Sequence, residues 1–216
     1  MRLHDKKTQD MTATLLTEDQ RDCLQEIANV AMGQSADHLA RLLDVFVVLS
    51  IPSVSLLTPN DIAMMLQSLQ SEDGDGQELA GVCQGFIGGG IAGEALLIFN
   101  GTDYRDLATL LRYDANAGAS ARSELLMDTT NVLGGACLHS LAKQLDTQFS
   151  LGPPILLGEH FDLTETLKKR EINWHNALVI EINYTIEDHK VNCDLLLVIS
   201  ENCIDGLLEK LNYLIE

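Results

Sequence analysis

The stretch "DCLQEIANV", residues 22–30, carries Asp22, Glu26 and Asn29, two carboxylates and a carboxamide at spacings of four and three residues. At roughly 100° per helical residue, these side chains and Gly33 fall within about 60° of one another. Leu24, Ala31 and Leu42 point nearly the opposite way, with Ile27, Ala28 and Leu39 flanking them. An amide is no nucleophile and has no useful pKa for proton transfer, but it accepts from and donates to a water and so fixes where that water sits. Holding a water in line with a phosphoryl group speeds hydrolysis, because that chemistry depends on orientation and charge compensation more than on proton abstraction. A nearby carboxylate can pair with a cation on another protein and dock the helix. Against this stands the ordinary reading of charged and amide residues on a helix, a solvated face.

The run "ELLMDTTNV", residues 124–132, supplies a second copy, with Glu124, Asp128, Asn131 and Gly135 on the same ridge. A solvated face has no need to keep Asn at one position, since Asn is a mediocre helix former. Glycine in a helix costs about 1 kcal/mol relative to Ala and leaves the backbone open to close approach. Retaining Asn twice favours a use for its amide.

The elements that must position these residues also repeat. At an offset of 102, Glu26 aligns with Asp128, Asn29 with Asn131, Val30 with Val132, Gly33 with Gly135, Leu39 with Leu141, Leu43 with Leu145, Asp44 with Asp146 and Pro52 with Pro154. At an offset of 100, "ALLIFNGTDYRDLATLLRY" lines up with "LLLVISENCIDGLLEKLNY", each an apolar strand, a polar turn and a leucine-spaced helix ending in Tyr113 or Tyr213. Residues 1–11 read as a disordered tail and residues 12–216 as one domain of two repeats, 12–114 and 119–216, joined by "DANAGAS". Thr17 with Gln20 forms a capping box, which predicts a helix from about residue 18 to the low forties. A strand, "VFVVLSI", is expected to end at Pro52, and a short helix near residues 60–70 precedes the acidic loop "SEDGDG". Two strands joined by a glycine turn follow, and the second half repeats the order, with "NALVIEINYTI" and "KVNCDLLLVIS" as its middle strands. This pattern predicts an α+β fold, a pseudo-two-fold domain with a mixed or antiparallel sheet and long helices packed on one face.

Of the 216 residues 46% are hydrophobic and 5% aromatic, enough for a sizeable core built mainly of Leu, Ile, Val and Ala. The formal charge of −18 argues against nucleic acid as a partner, since such a surface repels phosphate backbones. No apolar run is long enough to span a bilayer, and "MRLHDKKTQD" lacks the apolar segment of a signal peptide, so a cytoplasmic protein without membrane contact is expected. Cys23, Cys83, Cys137, Cys193 and Cys203 form no CxxC pair and read as reduced thiols. Neither Asp37–His38 nor Glu159–His160 has a second ligand at metal spacing, so no metal site is expected. "GGGIAG", residues 88–93, satisfies G-x-G-x-x-G but leads into the strand "EALLIF" rather than a helix, which predicts a hairpin turn and no dinucleotide site.

Asp22, Glu26, Asn29 and Pro52, with 22 residues between Asn and Pro, resemble the D/S-x3-E-x2-N-x22-P signature of the CheC/CheX/FliY phosphatases, and Asn131 and Pro154 keep the same interval. The resemblance spans nearly the whole chain after about residue 12, and its two-motif layout is most like CheC. It implies a hydrolase of the aspartyl phosphate on a CheY-like response regulator in chemotaxis. Glu26 would pair with the regulator's active-site lysine and Asn29 would orient the hydrolytic water. The protein would need no cofactor of its own, the Mg2+ belonging to the regulator. The second copy departs from the signature: Glu124 stands where Asp or Ser is usual, and Asp128, one methylene shorter, replaces Glu. The pair Asp128 and Asn131 is therefore expected to be the weaker site, to favour another regulator or to be vestigial. The resemblance adds the deamidase CheD as a candidate partner, through a helix for which "DIAMMLQSL" is available, although its Met and Leu spacing equally fits core packing. A non-catalytic adaptor of the same fold that binds a receiver or CheD stays open, as does a small-molecule-binding domain, for which the chain has no ligand motif.

Overall fold

In a computed structural model, described over residues 16–71, 80–99, 104–114, 119–159, 175–186, 189 and 191–215, the first ridge lies on helix α1, Glu18–Leu43. The capping box forms: Thr17 Oγ1 accepts from the Gln20 backbone N–H at 3.2 Å, and the Thr17 N–H donates to Gln20 Oε1 at 2.8 Å. Leu24, Ile27, Ala28, Ala31, Met32, Ser35 and Leu39 are buried, spaced as one helical face. Leu42, expected on that face, is 55% exposed, because it lies in the last turn, beyond the buried stripe that ends at Leu39. The helix ends at Asp44 in the left-handed conformation (φ 56°), and Asp146, its repeat counterpart, does the same after the second long helix (φ 46°). Asp is among the few residues that enter this region readily, which accounts for its presence at both positions.

The expected single strand "VFVVLSI" is instead two short ones, β1 (Val47–Leu49) and β2 (Ser53–Leu57), with Pro52 in the break rather than at a strand end. Both pair with β7 (Ala177–Ile186), Leu49 opposite Tyr184 and Ser53 opposite Glu181, so the four steps of one strand face three of the other. This is a β-bulge, one extra residue where proline cannot donate to the ladder. The second repeat builds the same bulge around Pro154. There β5 (Ser150–Leu151) and β6 (Ile155–Glu159) pair with β3 (Ala80–Gly88), Leu151 opposite Phe86 and Ile155 opposite Cys83. The distant proline of the signature thus marks a bulge at the sheet edge in both halves.

Helix α2, Pro59–Ser71, follows β2. Strands β3 and β4 (Ile91–Phe99) form the glycine hairpin, with Gly89 and Gly90 at φ 58° and 79°, so "GGGIAG" is a turn. A short helix α3 (Tyr104–Leu110), the long helix α4 (Ala119–Gln144), strand β8 (Val191–Ser200) and the closing helix α5 (Ile204–Ile215) complete the order. The eight-stranded sheet runs β1-β7-β8-β4-β3-β5, with β2 beside β7, β6 beside β3 and every described pairing antiparallel. The loop "SEDGDG" beyond Ser71, linker residues 115–118 and the tail 1–11 lie outside the described residues.

The pseudo-two-fold axis can be located. At the sheet centre Leu96 pairs with Leu196, its own repeat counterpart. In the helix layer Ser35 Oγ lies 3.4 Å from Cys137 Sγ, again counterparts, where α1 crosses α4. Both long helices cover one face of the sheet. On the other face Ile62 of α2 packs with Cys83, Leu96, Ile98, Val179, Leu196 and Val198. The closing helices are exchanged between halves: α5 packs along α1, burying Ile204, Leu207 and Leu211, while α3 sits against α4 with the Arg122 guanidinium 3.8 Å above the Tyr104 ring. Each half therefore completes the core of the other.

Candidate functional site

Both ridges form, on corresponding exposed faces of α1 and α4. Asp22, Glu26, Asn29 and Gly33 are exposed, and neither Glu26 nor Asn29 makes a side-chain hydrogen bond to any described residue. Asp22 lies 3.7 Å from Arg21 Nε across open solvent, a contact of little consequence for stability. The bulge is tied to this ridge: Gln25, one turn before Asn29, donates its side-chain amide to the Pro52 carbonyl. A Cβ placed on Gly33 would meet nothing within 4 Å, so the chain's own packing does not demand glycine there. On Gly135 a Cβ would meet only Leu151 Cδ1, at 3.9 Å. Among the described residues the first ridge is a carboxylate and an amide without side-chain partners, beside a bare stretch of helix backbone.

On the second ridge Glu124, Asp128 and Asn131 are also exposed, but the two groups that would act are engaged from within the chain. Tyr113 donates its hydroxyl to Asp128 Oδ2. That hydrogen bond, with some burial and the charges of Asp128 and Glu124 behind it, pushes the Tyr113 phenol up to about 12. Gln84 Nε2 donates to Asn131 Oδ1 at 3.0 Å and to the Gly152 carbonyl at 2.9 Å. The carbonyl fixes which end of the Gln84 amide faces it, because a carbonyl only accepts; the same NH2 group must therefore meet the oxygen of Asn131. Gln84 is 2% exposed, and its Oε1 has no hydrogen-bond partner among the described residues.

Two features explain why the first ridge lacks these partners. Strand register makes Ile182 the counterpart of Gln84: Gln84 pairs with Ala95 and Ile182 with Leu195, residues 100 apart. An isoleucine offers Asn29 no donor. The tyrosines differ by backbone. After α3 the chain turns at Arg112 in the left-handed conformation (φ 60°), with the Tyr113 N–H on the Ala108 carbonyl at 2.8 Å. In the second repeat α5 runs on through the same positions, so Tyr213 stays helical and is 77% exposed. Sequence reasoning placed Tyr113 only as the end of a repeat and passed over Gln84 altogether. Its signal was a lone amide at an inward position of "AGVCQGF", facing Ile in the other repeat.

Among the described residues the cysteines are free, with Cys83, Cys137 and Cys193 buried; burial raises the Cys137 thiol to about 11. No group of three or more His, Cys, Asp or Glu side chains is placed to hold a metal, and no described helix is long and apolar enough to cross a membrane. In "DIAMMLQSL", Ile62 and Ala63 are buried and Met64 is 54% exposed.

No protein-family model matches the chain, and no curated protein does. Solved structures do. FliY of Thermotoga maritima aligns with a TM-score of 0.61 at 17% identity, over 92% of this chain and 98% of that one. The FliM middle domain of Helicobacter pylori gives 0.57 at 13% identity, over 90% and 99%. The chemotaxis protein CheX of Desulfovibrio desulfuricans gives 0.50 at 13% identity, over 81% and 99%. The chain has their fold. At this identity the likeness is one of fold alone, and it does not single out a CheC-like layout over FliY or CheX.

Proposed function

We propose that the chain is a chemotaxis phosphatase of the CheC/CheX/FliY kind, acting on the aspartyl phosphate of a CheY-like receiver through the first ridge. The observation that carries this reading is the pairing of Glu26 and Asn29, exposed and unengaged one turn apart, with the Pro52 bulge tied to the same helix, in the fold of FliY and CheX. Glu26 pairs with a lysine beside the receiver's phosphoaspartate and sets the helix in place. Asn29 enters the receiver's site, where its amide oxygen accepts a proton of the attacking water and turns the water's lone pair toward phosphorus. Water oxygen bonds to phosphorus, the bond from phosphorus to the aspartyl oxygen breaks, and inorganic phosphate leaves a free carboxylate. The ridge itself has no cation to neutralise the transferring group, so the charge compensation, including Mg2+, comes from the receiver. The bare backbone at Gly33 allows the close approach this demands. Asp128 and Asn131 form the weaker pair, with Asp22, Glu124, Pro52 and Pro154 in support.

The test is the decay of a phosphorylated receiver with and without the protein. The wild type shortens the phosphate lifetime, and the double variant Asn29→Ala/Asn131→Ala leaves it at the spontaneous value; an unchanged acceleration in the double variant would sink the mechanism. The engaged second ridge favours one other reading, an adaptor that binds a receiver or CheD without hydrolysis. Tight binding with an unaltered phosphate lifetime would select it. CheD is proposed as a second partner only through the exposed face of α2 around Met64.

A further inference from the structure

A polar side chain buried in a largely apolar layer with an acceptor left orphaned calls for a reason, because an unpaired buried acceptor is destabilising. Gln84 carries such an acceptor, yet the fold does not require it, since the second repeat fills the same place, beneath the first ridge, with Ile182. Its amide donors serve Asn131 Oδ1 and the bulge carbonyl of Gly152. Asp128 is likewise held by a group from the other half, the hydroxyl of Tyr113, brought there by the left-handed turn at Arg112. In each case the chain's own donor occupies the atom that a partner would need. Tyr113 takes one of the two carboxylate oxygens that a receiver's cation would need, and Gln84 takes the amide oxygen that would accept the attacking water's proton.

The geometry points to Gln84 and Tyr113 as positioning residues that latch the second ridge shut and so decide which of the two ridges acts. This rests on the phosphatase reading and extends it: the second site is silenced by intrachain hydrogen bonds, beyond the shortening of Glu to Asp. With both donors in place, Asn131 turns its NH2 outward. It therefore presents to a docked receiver the wrong end of the amide for accepting a water proton.

Two measurements test it. In an Asn29→Ala background, Gln84→Leu and Tyr113→Phe, alone and combined, are assayed for phosphate release from the receiver. Leu is close in volume to Gln and imitates Ile182, and Phe keeps the ring, so both variants are expected to fold, as melting and gel filtration check. The combined variant is expected to raise the rate roughly fivefold or more over Asn29→Ala alone, and the gain is expected to vanish on adding Asn131→Ala. No gain, or a gain that survives Asn131→Ala, overturns the proposal. Gain of activity is not a result that mere loss of packing produces. Independently of any receiver, the Gln84 side-chain NH2 protons are expected to exchange slowly with solvent in the wild type and to shift on Asn131→Ala. Fast exchange and no shift would show the latch absent even if phosphatase activity stands. A wild type inert toward the receiver would instead remove the phosphatase reading and the latch's role with it, whatever the exchange data give.

Discussion

Asn29 and Asn131 occupy the same place in two copies of one structural unit, each on the exposed face of a 26-residue helix above a proline-centred bulge. They differ in their company. Around Asn29 the described residues supply no donor, and Glu26 has no partner among them either; around Asn131 they supply Gln84, and Asp128 has Tyr113. The repeat therefore keeps the scaffold, the bulge and the left-handed Asp at the helix end, while the surroundings of the carboxylate and the amide differ through two side chains that lie in the opposite half. A symmetric fold with exchanged closing helices makes this economical: each ridge is bordered by the other repeat, so the two sites can diverge without altering either helix.

Substitutions on the two ridges and one titration would break or sharpen this contrast. Charge reversal by Glu26→Lys is expected to weaken association with the phosphorylated receiver roughly a hundredfold, while Asp128→Lys changes it less than about twofold, as surface plasmon resonance at two salt concentrations would register. Equal losses would mean that both carboxylates dock. Gly33→Leu is expected to weaken receiver binding roughly tenfold by blocking the bare backbone, since a Cβ there meets no described atom within 4 Å. The same position as Gly33→Ala should stabilise the fold by about 1 kcal/mol in denaturant unfolding.

Tyr113 is expected to titrate near 12 and to fall toward its ordinary value near 10 in Asp128→Asn, read by ultraviolet absorbance or ring-carbon NMR. The sign follows from the raised value. The native state favours the neutral phenol, so the contact's stabilisation is complete below pH 10 and is lost as pH rises toward 12. The latch is therefore shut throughout the neutral range. The smallest effect is on stability: Gln84→Leu should shift unfolding by no more than about 1 kcal/mol, because the loss of two donor contacts is offset by removal of the orphaned oxygen. A larger loss would make Gln84 a structural residue.

Much of this was legible in the sequence because it is written in short-range patterns. The ridge follows from residue spacing on a helix, the cap from Thr17 and Gln20, the hairpin from Gly89 and Gly90, and the pseudo-symmetry from matched positions such as Asp44 and Asp146. What was missed depends on long-range geometry. A proline announces an interruption in a strand, but only the register against β7 reveals a bulge with β2 continuing beyond it. Leu42 fits the apolar face of the wheel, yet a wheel has no knowledge of where the core stops. Gln84 and Asn131 are 47 residues apart and meet only because β3 runs beneath α4. The unlike fates of Tyr113 and Tyr213 turn on one backbone conformation at Arg112, a residue type that gives no hint of it.

The central claim, that one ridge works and its twin is held closed, is tested most directly by the two single variants side by side in one phosphate-release assay on the receiver. Asn29→Ala is expected to lower the accelerated rate by roughly tenfold or more, and Asn131→Ala to leave it within about twofold of wild type. Equal losses from the two variants, or a larger loss from Asn131→Ala, would contradict the account.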